Sequence, residues 1–286
     1  MVKIERLPSY LSPSALMMAE KMPNTFFLTR LINDPIERDE QNLAAAVGSA
    51  FDYYIKMLLI EKKFPHKEKY LEELKKGIET NVTEAHTAGK KAFQIYANIY
   101  NPNEFNNVEL QLHGSLDVGN KNNAIPIFGK LDATVIDIKR DPNKVLPFDW
   151  KVTGYTSKEG TSPCPGYYRL WEGIRPKAMH TNYYEDIPIE TINENWATQL
   201  CTYGWLMDYK IGTPFYVRVD QLIWKNNTIR CIAQYRALVT PSFQDQVYYR
   251  YKRIWNLINS GEFIKLLASD DDENLIWISA QKENWW

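Results

Sequence analysis

Apolar residues recur at helical spacing in the first third of the chain and at every second position through its middle. From about Gln41 to Lys62, Leu43, Val47, Phe51, Tyr54 and Leu58 fall at i, i+4, i+8, i+11 and i+15. That spacing predicts a long helix with one apolar face. Ser12-Pro13 is an N-cap followed by a proline suited to the first helical turn, so a shorter helix is expected from about Ser14 to Glu20. Lys67–Tyr100 forms a third helical region, charged in its first half. The period then changes. Val108, Leu110, Leu112 and Leu116 predict a half-buried strand over Asn107–Leu116. Ile125–Ile138 reads as a second strand around Ile127, Phe128, Leu131, Val135 and Ile136. Asp141-Pro142-Asn143 marks a turn, and Val145–Val152 a third strand. Two helices are expected later, Glu194–Tyr209 and Pro241–Asn259. Between them Tyr216–Trp224 and Ile229–Val239 form a strand pair about Asn226-Asn227.

The order of helices, three strands, helix, two strands and helix fits an α/β (α+β) domain with a mixed central sheet flanked by helices. The chain of 286 residues, 44% hydrophobic and 24% charged, can bury one sizeable core. A single domain over 1–286 is expected, with an N-terminal helical region over 1–105. The stretch 153–193 is rich in Pro, Gly and Tyr and long for a connection, so it reads as an insertion.

Charge and composition narrow the function. A formal net charge of −1 argues against broad electrostatic coating of nucleic acid, while leaving room for local basic patches. Aromatics at 13% suit either core packing or stacking on bases. The three cysteines, Cys164, Cys201 and Cys231, are scattered without CxxC spacing, and His66, His86, His113 and His180 form no HxxxH or HExxH pattern. These absences speak against a zinc site. An odd cysteine count and no apolar leader over Met1–Leu16 point to a reducing cytoplasm. No stretch approaches the roughly 20 apolar residues of a membrane span.

The candidate chemistry lies in Asp149-Trp150-Lys151. On a strand, residues i and i+2 share a face, so Asp149 and Lys151 project side by side. Their flanks, Val145, Leu146, Phe148, Trp150 and Val152, make the strand apolar. Charges there are costly unless paired or bound to metal. Asp132 lies 17 residues earlier and also interrupts an apolar strand. If the two strands pair as a hairpin, Asp132 and Asp149 meet, and their repulsion calls for a divalent cation. Oxygen ligands suit Mg²⁺ or Mn²⁺. The adjacent ammonium would favour the anionic species formed in phosphodiester cleavage and help to deprotonate water. Asp137 falls on the opposite strand face from Asp132 and is not counted as a ligand, and Glu109 is assigned a structural role.

Gly129-Lys130-Leu131-Asp132, Asp149-Trp150-Lys151 and Gln199-Leu200-Cys201-Thr202-Tyr203, in that order, resemble the motifs of the PD-(D/E)XK nuclease superfamily, and within it the RecB-like exonuclease branch. Leu11-Ser12-Pro13-Ser14-Ala15-Leu16 resembles the branch's N-terminal S-x-S segment. The resemblance spans roughly Leu11 to Tyr209 and implies a restriction-endonuclease-like fold. It implies metal ligation by Asp132, Asp149 and the carbonyl of Trp150, water activation by Lys151, and support from Gln199 and Tyr203. Family members often carry G-x-x-x-H or G-x-x-x-E on an early helix. Here Gly48-Ser49-Ala50-Phe51-Asp52 takes that place, making Asp52 a further candidate metal contact, direct or through water. The iron–sulfur members have Cys-Pro where this chain has Met22-Pro23, and a distal Cys cluster that it lacks, so no iron–sulfur cluster is expected.

The insertion interleaves Arg169, Arg175 and Lys177 with Tyr167, Tyr168, Trp171, Tyr183 and Tyr184. That mixture suits backbone tracking and base stacking on a single strand, or simply a solvated aromatic loop. Lys225, Arg230, Arg236, Arg250, Lys252 and Arg253 are further candidate phosphate contacts. The expectation is a stand-alone, phage-type, Mg²⁺- or Mn²⁺-dependent DNA nuclease, more in keeping with an exonuclease. It would act in DNA processing or recombination, with room for a separate recombination or single-strand-annealing partner. The oligomeric state is left open. Alternatives are a catalytically silent DNA-binding or scaffold protein and a nuclease acting on RNA.

Overall fold

The computed structural model describes residues 8–32, 43–61, 82–100, 104–117, 124–154, 180–225 and 228–267. Helix α1 (Pro13–Lys21) starts where Ser12 Oγ accepts a hydrogen bond from the Ala15 amide. A short α2 (Pro23–Phe26) runs into a wider π-type turn, Phe27–Leu31. Helices α3 (Leu43–Glu61) and α4 (Val82–Ala97) follow. Strands β1 (Phe105–Leu116), β2 (Ile125–Asp137) and β3 (Asp141–Gly154) form an antiparallel meander. Then come β4 (His180–Pro188), a single turn α5 (Ile189–Ile192) and α6 (Glu194–Leu206). The hairpin β5 (Phe215–Lys225) and β6 (Thr228–Val239) leads into α7 (Pro241–Asn259) and the short α8 (Ile264–Leu267).

The six strands make one mixed sheet in the order β1-β2-β3-β5-β6-β4. β3 runs parallel to β5, and β4 parallel to β6. The expected class, a mixed central sheet flanked by helices, is the observed one. Among the described residues no helix is long and apolar enough to cross a membrane.

Alternation along β3 assigns the two faces. Leu146, Phe148 and Trp150 join Phe51, Tyr54 and Ile55 of α3 and Phe93 and Tyr96 of α4 in one buried cluster. Asp149 and Lys151, at the intervening positions, turn to the other side, where α6 lies. There a larger cluster unites α1, α6 and α7 with Val217 and Val219 of β5 and Tyr235 and Ala237 of β6. β2 serves both. Its Ile125, Ile127 and Leu131 belong to the α1/α6 cluster, and Ala133 and Val135 to the α3/α4 cluster. Asp132 stands at the changeover.

Several expectations are corrected. The hairpin turn is Ile138-Lys139-Arg140, since Asp137 pairs with Asp141. Asp141-Pro142-Asn143 opens β3 instead, with the Asp141 carboxylate accepting from the Asn143 amide at 3.1 Å. The end of the supposed insertion is ordered as β4 and α5, because β4 finds a parallel partner in β6, a long-range pairing invisible to local pattern. Arg236 is buried rather than a surface charge. It donates to Asp137 at 2.8 and 2.9 Å and lies over the Tyr216 ring. Arg250 is engaged with Glu20, Glu194 and Thr198, tying α7 to α1 and α6.

Close approach of α6 to the sheet depends on small residues. A Cβ on Gly204 would fall 2.2 Å from the Phe215 ring. Gly→Ala within a helix ordinarily gains about 0.5–1 kcal/mol. In urea titrations Gly204→Ala is expected to lose about 1–3 kcal/mol instead, by overpacking. A stability gain would show that Phe215 yields freely.

Candidate active site

Strand register brings three carboxylates into one row. Val108↔Ala133 and Leu110↔Leu131 set Glu109 level with Asp132, and Ala133↔Phe148 sets Asp132 level with Asp149. Glu109, Asp132 and Asp149 therefore stand side by side across β1, β2 and β3. Asp52 reaches the same place from α3. Glu109 holds a left-handed backbone, φ 57°, just beyond a register shift in β1. Such a conformation costs a non-glycine residue roughly 1–3 kcal/mol and is retained where the surroundings enforce it.

Three lysines answer these acids. Lys56 Nζ lies 2.7 Å from Asp52 Oδ2, 2.6 Å from Glu109 Oε1 and 2.8 Å from Asp132 Oδ1. Lys130 Nζ lies 2.5 Å from Glu109 Oε2. Lys151 Nζ lies 2.6 Å from Asp149 Oδ2 and donates to Gln199 Oε1 at 2.9 Å. Gln199 Nε2 donates to the Tyr203 hydroxyl at 2.8 Å, which donates to the Lys130 carbonyl at 2.7 Å. This relay needs Gln199 and Tyr203 one turn apart on α6. It also needs Gly129 beneath the Tyr203 ring, where a Cβ would sit at 2.7 Å.

Burial decides the electrostatics. Asp149 is 1% exposed. Burial raises its pKa well above the ordinary carboxylate value, and neighbouring Asp132 adds to this, against the opposing pull of Lys151. Burial also acts upward on Asp132. The hydrogen bond with Asp149 and the Lys56 charge outweigh it and hold the pKa below the usual value. Asp149 thus keeps a proton that Asp132 accepts, and the two titrate as a pair. Asp52 is pushed up to about 6 by burial and by Asp132, with Lys56 opposing. Glu109 is lowered. Burial acts against ionisation there, but Lys130 and Lys56 prevail. The Lys56 ammonium is held above its ordinary pKa by Asp132 and Asp52, despite burial.

The site opens into a cleft of about 370 Å³ lined by Gly48, Asp52, Asp132, Asp149, Lys151 and Gln199. A neighbouring groove of about 300 Å³ contains Ser12, Ser14, Arg30, Lys130, Gln199 and Tyr203, so the N-terminal S-x-S segment also borders the centre. Asp137, by contrast, is buried against Arg236, away from this row. Arg169, Arg175 and Lys177, with Tyr167, Tyr168 and Trp171, lie outside the described residues.

Among the described residues no three His, Cys, Asp or Glu side chains are placed to share one ion. Asp52, Glu109 and Asp132 converge on Lys56 instead. Yet Asp149 Oδ2 is buried and takes part in no assigned hydrogen bond, its one charged neighbour being the Lys151 ammonium at 2.6 Å. A buried carboxylate oxygen held by an ion pair alone, beside a second carboxylate, fits Mg²⁺, which usually takes one or two carboxylates and fills its other positions with water. Lys56 is a site residue that the sequence did not single out, while Glu109, given a structural role, pairs with Lys56 and Lys130. The signal available was the i, i+4 spacing of Asp52 and Lys56 on the predicted helix.

No family model matches the chain, and no curated protein matches it. Two of the solved structures that resemble it do so at low identity. One is described as a "putative exonuclease" from Eubacterium rectale, with 14% identity, 88% of this chain and 82% of that chain covered, and a TM-score of 0.47. The other is the protein SSO0001, with 10% identity, 84% of each chain covered and a TM-score of 0.30. At these values the function rests on the chemistry of the site.

Two outcomes test the electrostatics. Tyr203→Phe leaves Gln199 Nε2 and the Lys130 carbonyl without partners and is expected to cost about 1–3 kcal/mol in urea unfolding. The Asp52 carboxyl has a higher pKa folded than its ordinary 3.8, so the folded state holds the proton longer. Its contribution therefore falls as pH rises from about 4 to about 6 and is constant above. In chelator, the parent should lose stability relative to Asp52→Asn across that window. Parallel stability curves would contradict the assignment.

Proposed function

We propose that the chain is a metal-dependent nuclease that hydrolyses phosphodiester bonds in DNA, the exonuclease mode being preferred. The observation carrying this reading is the buried Asp149 Oδ2, which has an ion pair but no assigned hydrogen bond, between Asp132 and an oriented Lys151. A purely structural ion pair has no need of a buried acceptor held by an ion pair alone, or of a lysine held by a three-part relay at the mouth of a cleft. The order of the Asp132, Asp149–Lys151 and Gln199–Tyr203 motifs, which resembles the PD-(D/E)XK superfamily and its RecB-like branch, supports the same reading.

In this mechanism Asp132, Asp149 and the Trp150 carbonyl would hold Mg²⁺ or Mn²⁺, with Asp52 contributing at most through water because Lys56 occupies its carboxylate. A bound ion supplies Lewis acidity toward the phosphate and neutralises the acidic pair. Lys151 presents its ammonium where negative charge develops on the phosphate, and Gln199 fixes its direction. Tyr203 anchors Gln199 to the backbone of β2, so the relay keeps its geometry without substrate. We propose further that the enzyme works in the cytoplasm, without an iron–sulfur cluster. It would contact DNA partly through Arg169, Arg175 and Lys177, alongside any recombination or annealing partner.

The test is digestion of end-labelled linear and circular DNA, and of RNA, with Mg²⁺ or chelator. Asp149→Ala and Lys151→Ala are expected to lose at least about 10²–10³-fold in rate while unfolding cooperatively like the parent. Full activity in either variant would refute the assignment. Binding of DNA without cleavage by the parent would make it a scaffold protein.

A further inference from the structure

We propose that Lys56 is a resident cation of the active site: it takes the place of a second divalent ion, confining metal to the Asp132–Asp149 side. The inference rests on reading the site as a metal centre. An ammonium has three N–H donors and no acceptor. Lys56 meets three carboxylate oxygens, from α3, β1 and β2, at 2.6–2.8 Å, and its side chain is only 11% exposed. Two of these contacts are hydrogen bonds, to Asp52 and Asp132, and the third is an ion pair with Glu109, so the charge is held within the protein. One residue along the row, Asp149 Oδ2 is buried and takes part in no assigned hydrogen bond. A lysine held by three carboxylates thus lies on one side of Asp132, and a buried carboxylate oxygen with a single ion-pair contact on the other.

Position explains why the ammonium would persist when metal is present. Lys56 sits one turn after Asp52 on α3, a helix packed by Phe51, Tyr54 and Ile55. A divalent ion entering among Asp52, Glu109 and Asp132 would strand a buried ammonium without partners, a state far costlier than an exposed one. Lys56 thereby supplies charge neutralisation that solution metal would otherwise provide. Lys151 differs: its contacts are one hydrogen bond to Gln199 and one ion pair with Asp149, so it can turn a third donor toward substrate.

The experiment titrates Mn²⁺ into the full chain, stripped of metal by chelator, and counts bound ions by the electron paramagnetic resonance of free Mn²⁺, without DNA. The parent is expected to bind one ion, Lys56→Gln two, and Lys56→Arg one, because arginine keeps the charge. If Lys56→Gln binds one ion like the parent, or if Lys56→Arg binds two, the proposal falls while the metal-centre reading stands. If the parent binds none, both fall. Should Lys56→Gln fail to fold in chelator, recovery of cooperative unfolding on adding Mn²⁺ supports the proposal. Failure to recover at saturating Mn²⁺ overturns it.

Discussion

Two carboxylates forced together in a nearly closed corner are the constraint on which this molecule turns. Asp132 and Asp149 are adjacent because β2 and β3 pair in a fixed register, and a slip of one residue between the strands would put them on opposite faces. Neither can be fully ionised there without compensation. The directions of their titration say how the protein copes: a shared proton, and lysines on both flanks. Everything nearby supplies positive charge, directs it, or keeps water from diluting it.

The two helical layers divide this labour. α3 delivers Lys56 and Asp52 from one side, on a helix fixed by aromatic packing against Phe148 and Trp150. α6 delivers Gln199 and Tyr203 from the other, pressed onto the sheet through Gly129 and Gly204. Since β2 gives its apolar residues to both layers, the site occupies the seam between two hydrophobic clusters. Side chains from either layer can reach that seam without being buried in the core of the other.

Much of this could be read from residues alone. Alternation around Phe148 and Trp150 marked β3 as an interior strand, and the charges breaking it named Asp149 and Lys151. The four-residue step from Gln199 to Tyr203 placed both on one face of a helix, and the structure connects them to Lys151 as that step allows. What stayed hidden was non-local. β4 is stabilised by β6, some fifty residues later, so nothing in its own composition announces it. Lys56 looks like an ordinary helix lysine until β1 and β2 bring Glu109 and Asp132 against it. Arg236 looks like surface charge until the turn at Ile138-Lys139-Arg140 sets Asp137 beside it.

The contacts of Lys130 have a wider consequence. Its carbonyl ends the path from Lys151 through Gln199 and Tyr203, while its ammonium begins another through Glu109 and Lys56 to Asp132. Asp132 meets Asp149, which meets Lys151. The polar contacts therefore close into a circuit. Members of a closed circuit are not energetically independent, so the effects of paired substitutions around it should not sum. Acid, amide, phenol and ammonium here behave as one cooperative element, and the identity of any residue in it is constrained by all the others.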